Sequence, residues 1–123
     1  MDLLDVNVLI SLAWRNHVHH AAAGNWFRRR AGQAWATTPF TEAGFVRLSA
    51  NPSVTSEAVT PVEALALLAR MCGIAGHHFL PDDIPLLVGD QAGGERVVTH
   101  RQVTDAHLVA LARRHGVRLS TFD

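Results

Sequence analysis

The sequence has no lysine, a single cysteine and no long apolar run, and each of these absences is informative. All 11 basic residues are arginines and they balance 11 acidic residues, so net charge gives no overall attraction to nucleic acid. Cys72 cannot form an internal disulfide, which indicates an ordinary buried thiol in a reducing compartment. No apolar segment approaches the roughly 20 residues of a membrane-spanning helix, so we expect a cytoplasmic protein without a membrane partner.

The apolar content that is present is enough for one folded domain. With 123 residues, 48% of them hydrophobic, the sequence predicts a single domain over 1–123 without repeats or linkers. Short apolar runs typical of buried strands alternate with segments that have helical spacing. This alternation predicts an α/β fold with a parallel sheet.

Turn and capping signals give the expected boundaries of these segments. The first strand is predicted to end near Asp5. Three further strands are predicted over 34–37, 77–80 and 117–121. Helices are predicted up to Trp14, over 17–30, from Pro39 to a stop at Asn51, over 61–72 and over 104–115, with a short helix in the loop-rich segment 81–94.

Four acids fall at the edge of the predicted sheet where ligands bind. Asp5 and Asp123 end strands, Glu42 lies in the first turns of a helix, and Asp105 lies at the start of the last helix. Because the carboxyl ends of parallel strands meet at one edge, we expect these carboxylates to converge. A divalent cation would relieve their repulsion, and hard oxygen ligands favour Mg²⁺ or Mn²⁺. Such a site suits phosphodiester hydrolysis by metal-activated water.

Short sequence segments surround these acids. They are Asp5-Val6-Asn7-Val8-Leu9-Ile10, Thr41-Glu42 with Arg47, Thr104-Asp105-Ala106-His107-Leu108, and Ser120-Thr121-Phe122-Asp123. Together they resemble, over the whole chain, the signature of PIN-domain ribonucleases of the VapC toxin family. The resemblance implies a PIN-like three-layer α/β/α domain with a central, mostly parallel sheet. It also implies a Mg²⁺- or Mn²⁺-dependent endoribonuclease, the toxin of a type II toxin–antitoxin pair, which is inhibited by a VapB-type antitoxin and forms a homodimer.

The resemblance also assigns roles to individual residues. Asp5, Glu42 and Asp105 would bind the metal, and Asp123 would complete the site. The polar residues expected to support the site are Asn7 and Thr121.

The sequence departs from the family pattern at two places. Val6 follows the first acid where many members have threonine, so one hydroxyl near the expected metal is missing. Members usually continue for a short stretch after the acid that corresponds to Asp123, whereas this sequence stops there. The placement of Asp123 is therefore the assignment that the resemblance constrains least.

Other charged and titratable residues receive secondary roles. The arginines expected to lie nearer the acids, and so to contact RNA, are Arg101, Arg113, Arg114 and Arg118. The run Arg28-Arg29-Arg30 is expected to cap a helix end and face solvent. The eight histidines, which include the pair His77-His78, lack the spacing of a zinc motif, and we assign them to surface and core-edge positions.

Alternatives to the nuclease remain. Glu42 and Asp105 could each be structural, since acids near helix N-termini are favoured by the helix dipole. A non-catalytic PIN-like module would hold RNA or protein without cleaving it, and the presence of all four acids argues against this. A phosphatase with Asp5 as nucleophile commonly needs a second acid where this sequence has Asn7, and the chain also lacks a lysine to neutralise phosphate.

Overall fold

The computed structural model describes residues 1–86 and 100–122, without the side chains of residues 100 and 101. Within these residues, one parallel sheet has the strand order β3-β2-β1-β4 and consists of Asp2–Leu4 (β1), Trp35–Thr37 (β2), His77–Phe79 (β3) and Arg118–Ser120 (β4). The helices are Val6–Ala13 (α1), His20–Arg29 (α2), Pro39–Ser49 (α3), Pro61–Cys72 (α4) and His100–His115 (α5). The predicted parallel α/β fold is confirmed, and the short helix predicted within 81–94 falls mostly outside the described residues.

Successive residues of the short strands point to opposite faces of the sheet and create two cores. Leu4 and Trp35 point into a core shared with α1, α3 and α4. Leu3 and Ala36 point to the other face, into a core shared with α5. The other buried side chains are Val8, Leu9, Phe45, Leu68 and Met71 in the first core and Leu108, Leu111 and Ala112 in the second. The sheet is therefore the middle of three layers.

The start of α4 follows the sequence prediction. The Thr60 hydroxyl accepts a hydrogen bond from the Glu63 N–H at 3.1 Å, and the Glu63 carboxylate accepts one from the Thr60 N–H at 3.2 Å. With Pro61 at the first helical position, this reciprocal capping box satisfies two backbone donors that a helix start leaves unpaired.

The start of α5 does not follow the prediction. The helix was expected to begin at Thr104, but it is already helical at His100. Residues 100–103 contain neither proline nor glycine, so nothing in this stretch stops a helix before the threonine. Asp105 consequently lies in the second turn, and the prediction that it occupies the helix start is wrong. None of the described helices combines the length and the apolarity that crossing a bilayer requires.

A buried ion pair lies at the edge of the sheet where the strands begin. Arg30 Nη2 donates to Asp2 Oδ2 at 2.6 Å and to the Ala34 carbonyl at 2.7 Å. The two charged side chains are only 7% and 5% exposed. The expectation that the whole arginine run faces solvent is therefore wrong for Arg30, which ties the end of α2 to the first residue of β1.

Gly76, just before β3, is a position where the backbone requires glycine. Its φ is +93°, and a Cβ there would lie 2.7 Å from the Gln33 carbonyl oxygen. We expect Gly76→Ala to lower the free energy of unfolding by about 2–3 kcal/mol, measured by urea denaturation. Gly32 is the control, because its φ is +83° but nothing lies within 4 Å of its added Cβ. Gly32→Ala should cost only about 1 kcal/mol. Equal losses in both variants would show that the contact with Gln33 has no energetic effect.

Candidate active site

Asp5 is a buried carboxylate at the carboxyl end of β1, one of the two inner strands of the sheet. Asp5 exposes only 5% of its surface to solvent. Oδ1 accepts a hydrogen bond from the Val6 N–H at 2.7 Å, which makes Asp5 the N-cap of α1. Oδ2 accepts a hydrogen bond from the Thr121 hydroxyl at 3.0 Å. These two hydrogen bonds fix the orientation of the carboxylate at the end of β1.

The two predicted supporting residues differ in their surroundings. Thr121 follows β4, the strand beside β1, and so reaches Asp5 across the sheet edge. Asn7 is exposed in the first turn of α1, where it lines a surface cavity of about 410 Å³ together with Ile10 and Trp14. The structure therefore brings Thr121 to Asp5 and places Asn7 at the neighbouring surface, and the supporting roles of both residues remain predictions.

Glu42 lies in α3, the helix that follows β2. Its carboxylate contacts Thr37, the last residue of that strand. Glu42 Oε2 accepts a hydrogen bond from the Thr37 hydroxyl at 2.6 Å, and the same hydroxyl lies 2.8 Å from His77 Nε2. Thr37 has one hydroxyl proton and donates it to the Glu42 carboxylate. The His77 Nε2–H must therefore donate to Thr37.

Asp105 is half-buried in the second turn of α5. Because α5 runs back against β4, its N-terminal part lies at the edge where β1 and β4 end. Among the described residues, however, Asp5, Glu42 and Asp105 do not form a group whose carboxylate oxygens all lie within 4.8 Å. Asp123 lies outside the described residues. The four-acid metal site therefore remains a prediction.

A different group of ligand-type side chains is brought together at Thr37. One donor atom each from Glu42, Cys72 and His77 lies within 4.8 Å of the others, and all three residues are half-buried. Burial lowers the pKa of His77 from its ordinary value near 6.5, so the imidazole is neutral at pH 7. Burial raises the pKa of the Cys72 thiol, and the Glu42 carboxylate raises it further. Sequence spacing could not indicate this group, because its members come from α3, α4 and β3.

The structure describes the positions of three of the four arginines predicted to contact RNA. Arg118 is the first residue of β4 and pairs with Asp2, with its Nε 3.2 Å from the Asp2 carboxylate. Arg113 and Arg114 lie in the last turn of α5, about 12 Å along the helix from Asp105. These three arginines therefore lie toward the sheet edge opposite Asp5, and their contact with RNA remains a prediction. The side chain of Arg101 is outside the described part of the chain.

Comparisons with known proteins show which family the chain belongs to. No protein-family model matches the chain. It is 59% identical over 121 residues to Ribonuclease VapC39 of Mycobacterium tuberculosis, covering 98% of this chain and 87% of that protein. It is 51% identical to Ribonuclease VapC38 of the same species, covering 100% of this chain and 85% of that protein.

A solved structure supports the fold independently. The crystal structure of Mycobacterium tuberculosis VapC20, a sarcin–ricin loop cleaving toxin, matches with a TM-score of 0.69 over 100% of this chain and 90% of that one, at 15% identity. The structure is a parallel α/β domain in which Asp5 and Glu42 follow the two inner strands, β1 and β2. The chain belongs to the VapC ribonuclease family, as the sequence segments predicted.

Proposed function

We propose that this chain is an endoribonuclease that depends on Mg²⁺ or Mn²⁺ and acts as the toxin of a toxin–antitoxin pair. The observation that carries the proposal is Asp5, a carboxylate that is 5% exposed and lies at the carboxyl end of an inner parallel strand. Ligand crevices of open α/β sheets form at this position. A carboxylate at this edge, oriented by hydrogen bonds, is a ligand of the type that Mg²⁺ and Mn²⁺ prefer, which supports a cation-binding role.

The donor set fits a hard cation. The proposed ligands, Asp5, Glu42, Asp105 and Asp123, offer only carboxylate oxygens, and such ligands favour Mg²⁺ and Mn²⁺. Because the first three do not all lie within 4.8 Å of one another, one ion would bind them after side-chain movement or through bridging water. When bound, the ion would supply an activated water and stabilise the charge on the leaving oxygen.

The chain's own residues fix the orientation of these carboxylates. Asp5 accepts a hydrogen bond from the Val6 N–H on Oδ1 and from the Thr121 hydroxyl on Oδ2. Glu42 is held by the Thr37 hydroxyl. Carboxylates that are oriented before a ligand arrives lose less conformational freedom on binding it, so these polar contacts support a site built for a cation and a phosphate.

Protein partners complete the proposal. We infer that a VapB-type antitoxin binds the chain and that the chain forms a homodimer. Family membership supports both partners. The structure adds that α4 exposes two apolar side chains one turn apart, Val62 at 75% and Leu65 at 54%, which a protein partner would cover on binding to this helix.

The test of the nuclease is cleavage of a structured RNA pool that includes a sarcin–ricin loop oligonucleotide. We expect cleavage with Mg²⁺ or Mn²⁺, loss of cleavage in EDTA, and recovery when excess ion is added back. Binding of the pool without cleavage in any of these conditions would instead support the non-catalytic module.

The contact between Thr121 and Asp5 gives a more specific prediction. We expect Thr121→Val to reduce cleavage about 10- to 100-fold, because it removes the hydroxyl that orients Asp5 Oδ2. Thr121→Ser keeps a hydroxyl and should retain most of the activity. The measurement is the Mn²⁺ concentration needed for half-maximal cleavage, which should rise for valine and stay near the original value for serine. Equal Mn²⁺ requirements in both variants would show that the hydroxyl does not orient the metal ligand.

A further inference from the structure

The group around Thr37 has the composition of a site for a softer metal than magnesium. It consists of a thiol, an imidazole and a carboxylate, contributed by Cys72, His77 and Glu42. Sulfur and nitrogen ligands with one carboxylate are typical of Zn²⁺ and related ions, whereas Mg²⁺ prefers oxygen ligands only. The ligand chemistry of this group therefore differs from that of the acidic edge.

The distances are close to those that such an ion needs. Bond lengths of about 2.0–2.3 Å place the ligand atoms of a tetrahedral zinc site about 3.5 Å apart. The donor atoms of Glu42, Cys72 and His77 lie within 4.8 Å of one another. Side-chain shifts of roughly 1 Å would bring them to tetrahedral spacing.

Thr37 holds two of the three side chains, those of Glu42 and His77, at a common point. Its buried hydroxyl lies 2.6 Å from Glu42 Oε2 and 2.8 Å from His77 Nε2. In the metal-free chain this hydroxyl links the carboxylate to the imidazole. With an ion bound, the Thr37 hydroxyl or a water would be available as the fourth ligand.

The charges also balance. Binding of a divalent ion releases the Cys72 thiol proton to solvent and moves the His77 proton from Nε2 to Nδ1, which leaves a lone pair on Nε2 for the metal. The Cys72 thiolate and the Glu42 carboxylate then offset the two positive charges of the ion. A half-buried site with no net charge avoids most of the desolvation cost of an isolated ion.

We propose that Glu42, Cys72 and His77 bind a zinc-type divalent cation, and that this ion opposes RNA cleavage by holding Glu42 away from the Mg²⁺ or Mn²⁺ site. The binding half of the proposal stands on the described geometry alone. The inhibitory half rests on the proposed function, because it requires Glu42 to serve the nuclease.

The experiment titrates the purified chain with Co²⁺ under a phosphine reductant and records its absorption spectrum. Cobalt bound to a thiolate gives a charge-transfer band that oxygen and nitrogen ligands alone do not give. We expect one equivalent of Co²⁺ to produce this band in the unmodified chain and Zn²⁺ to displace it. The band should be lost in Cys72→Ser, and His77→Gln should weaken Co²⁺ binding at least about 10-fold.

His78→Gln is the matched control, because His78 is paired with Ala36 and its side chain lies on the opposite face of the sheet from His77. This variant should bind Co²⁺ as the unmodified chain does. Absence of the thiolate band in the unmodified chain, or equal weakening by His77→Gln and His78→Gln, would overturn the site.

RNA cleavage in saturating Mg²⁺ tests the inhibitory half. Micromolar Zn²⁺ should inhibit the unmodified chain and the His78→Gln variant, and should inhibit Cys72→Ser much less. A thiolate band without zinc inhibition of an active nuclease would overturn the competition for Glu42 and leave the metal site standing. A thiolate band in a chain with no Mg²⁺-dependent cleavage would count against the proposed nuclease mechanism and not against the metal site.

Discussion

Replacement of Asp5 by asparagine is expected to reduce RNA cleavage at least about 100-fold and to leave the fold intact. The substitution removes the negative charge that a cation would bind at the end of β1. It keeps the shape of the side chain, and asparagine is as good an N-cap as aspartate, so α1 should still begin at Val6. The measurement is the cleavage rate in saturating Mn²⁺, together with the urea midpoint of unfolding.

The control for Asp5→Asn is Glu63→Gln, which removes one negative charge from the exposed capping box of α4. It should cleave RNA at the original rate. Full metal-dependent activity in Asp5→Asn would show that the site assignment is wrong. A large fall in the urea midpoint would instead show that the carboxylate is needed for folding, and the loss of activity would then carry no information about catalysis.

Loss of the Asp2 carboxylate is expected to destabilise the protein by about 3–5 kcal/mol, because Asp2→Ala leaves the buried Arg30 guanidinium without its counter-charge. Arg30 would retain only its bond to the Ala34 carbonyl among the hydrogen bonds of the described residues. Thermal unfolding followed by circular dichroism should show a fall in Tm of about 10 °C or more.

Removal of the other partner should cost less. In Arg30→Met the Asp2 carboxylate still has the Arg118 guanidinium 3.2 Å away, and Arg118 is 80% exposed, so water can reach it. Methionine also fills much of the volume that the arginine stem occupies near the Trp26 ring. A larger loss of stability in Arg30→Met than in Asp2→Ala would show that the packing of Arg30 matters more than its charge.

The sequence predicted the elements and the placement of Asp5 well, because both depend on local pattern. An apolar run that ends in an acid predicts a buried strand with a carboxylate at its end, and Asp5 lies at that position. The capping signal at Thr60 predicted the start of α4 for the same reason. Family segments then identified the ribonuclease family, which no single residue could have done.

The sequence did not predict features that depend on which way a side chain turns in the packed structure. A run of three arginines at a helix end is typical of a solvated surface, yet packing turns Arg30 inward to Asp2. Glu42 was placed correctly in α3, but its hydrogen bond to Thr37 and its approach to Cys72 and His77 depend on the contact of α3 with α4 and β3. The start of α5 was missed because a threonine can equally lie inside a helix.

The bond between Thr121 and Asp5 joins residues 116 positions apart in the sequence. A ribosome synthesises Asp5 early and Thr121 only after more than a hundred further residues, so the two cannot meet while most of the chain is still unmade. Pairing of β4 with β1 is a non-local step, and such steps form late and slowly during folding. The contact that holds Asp5 Oδ2 therefore cannot form until β4 has been synthesised and has docked beside β1.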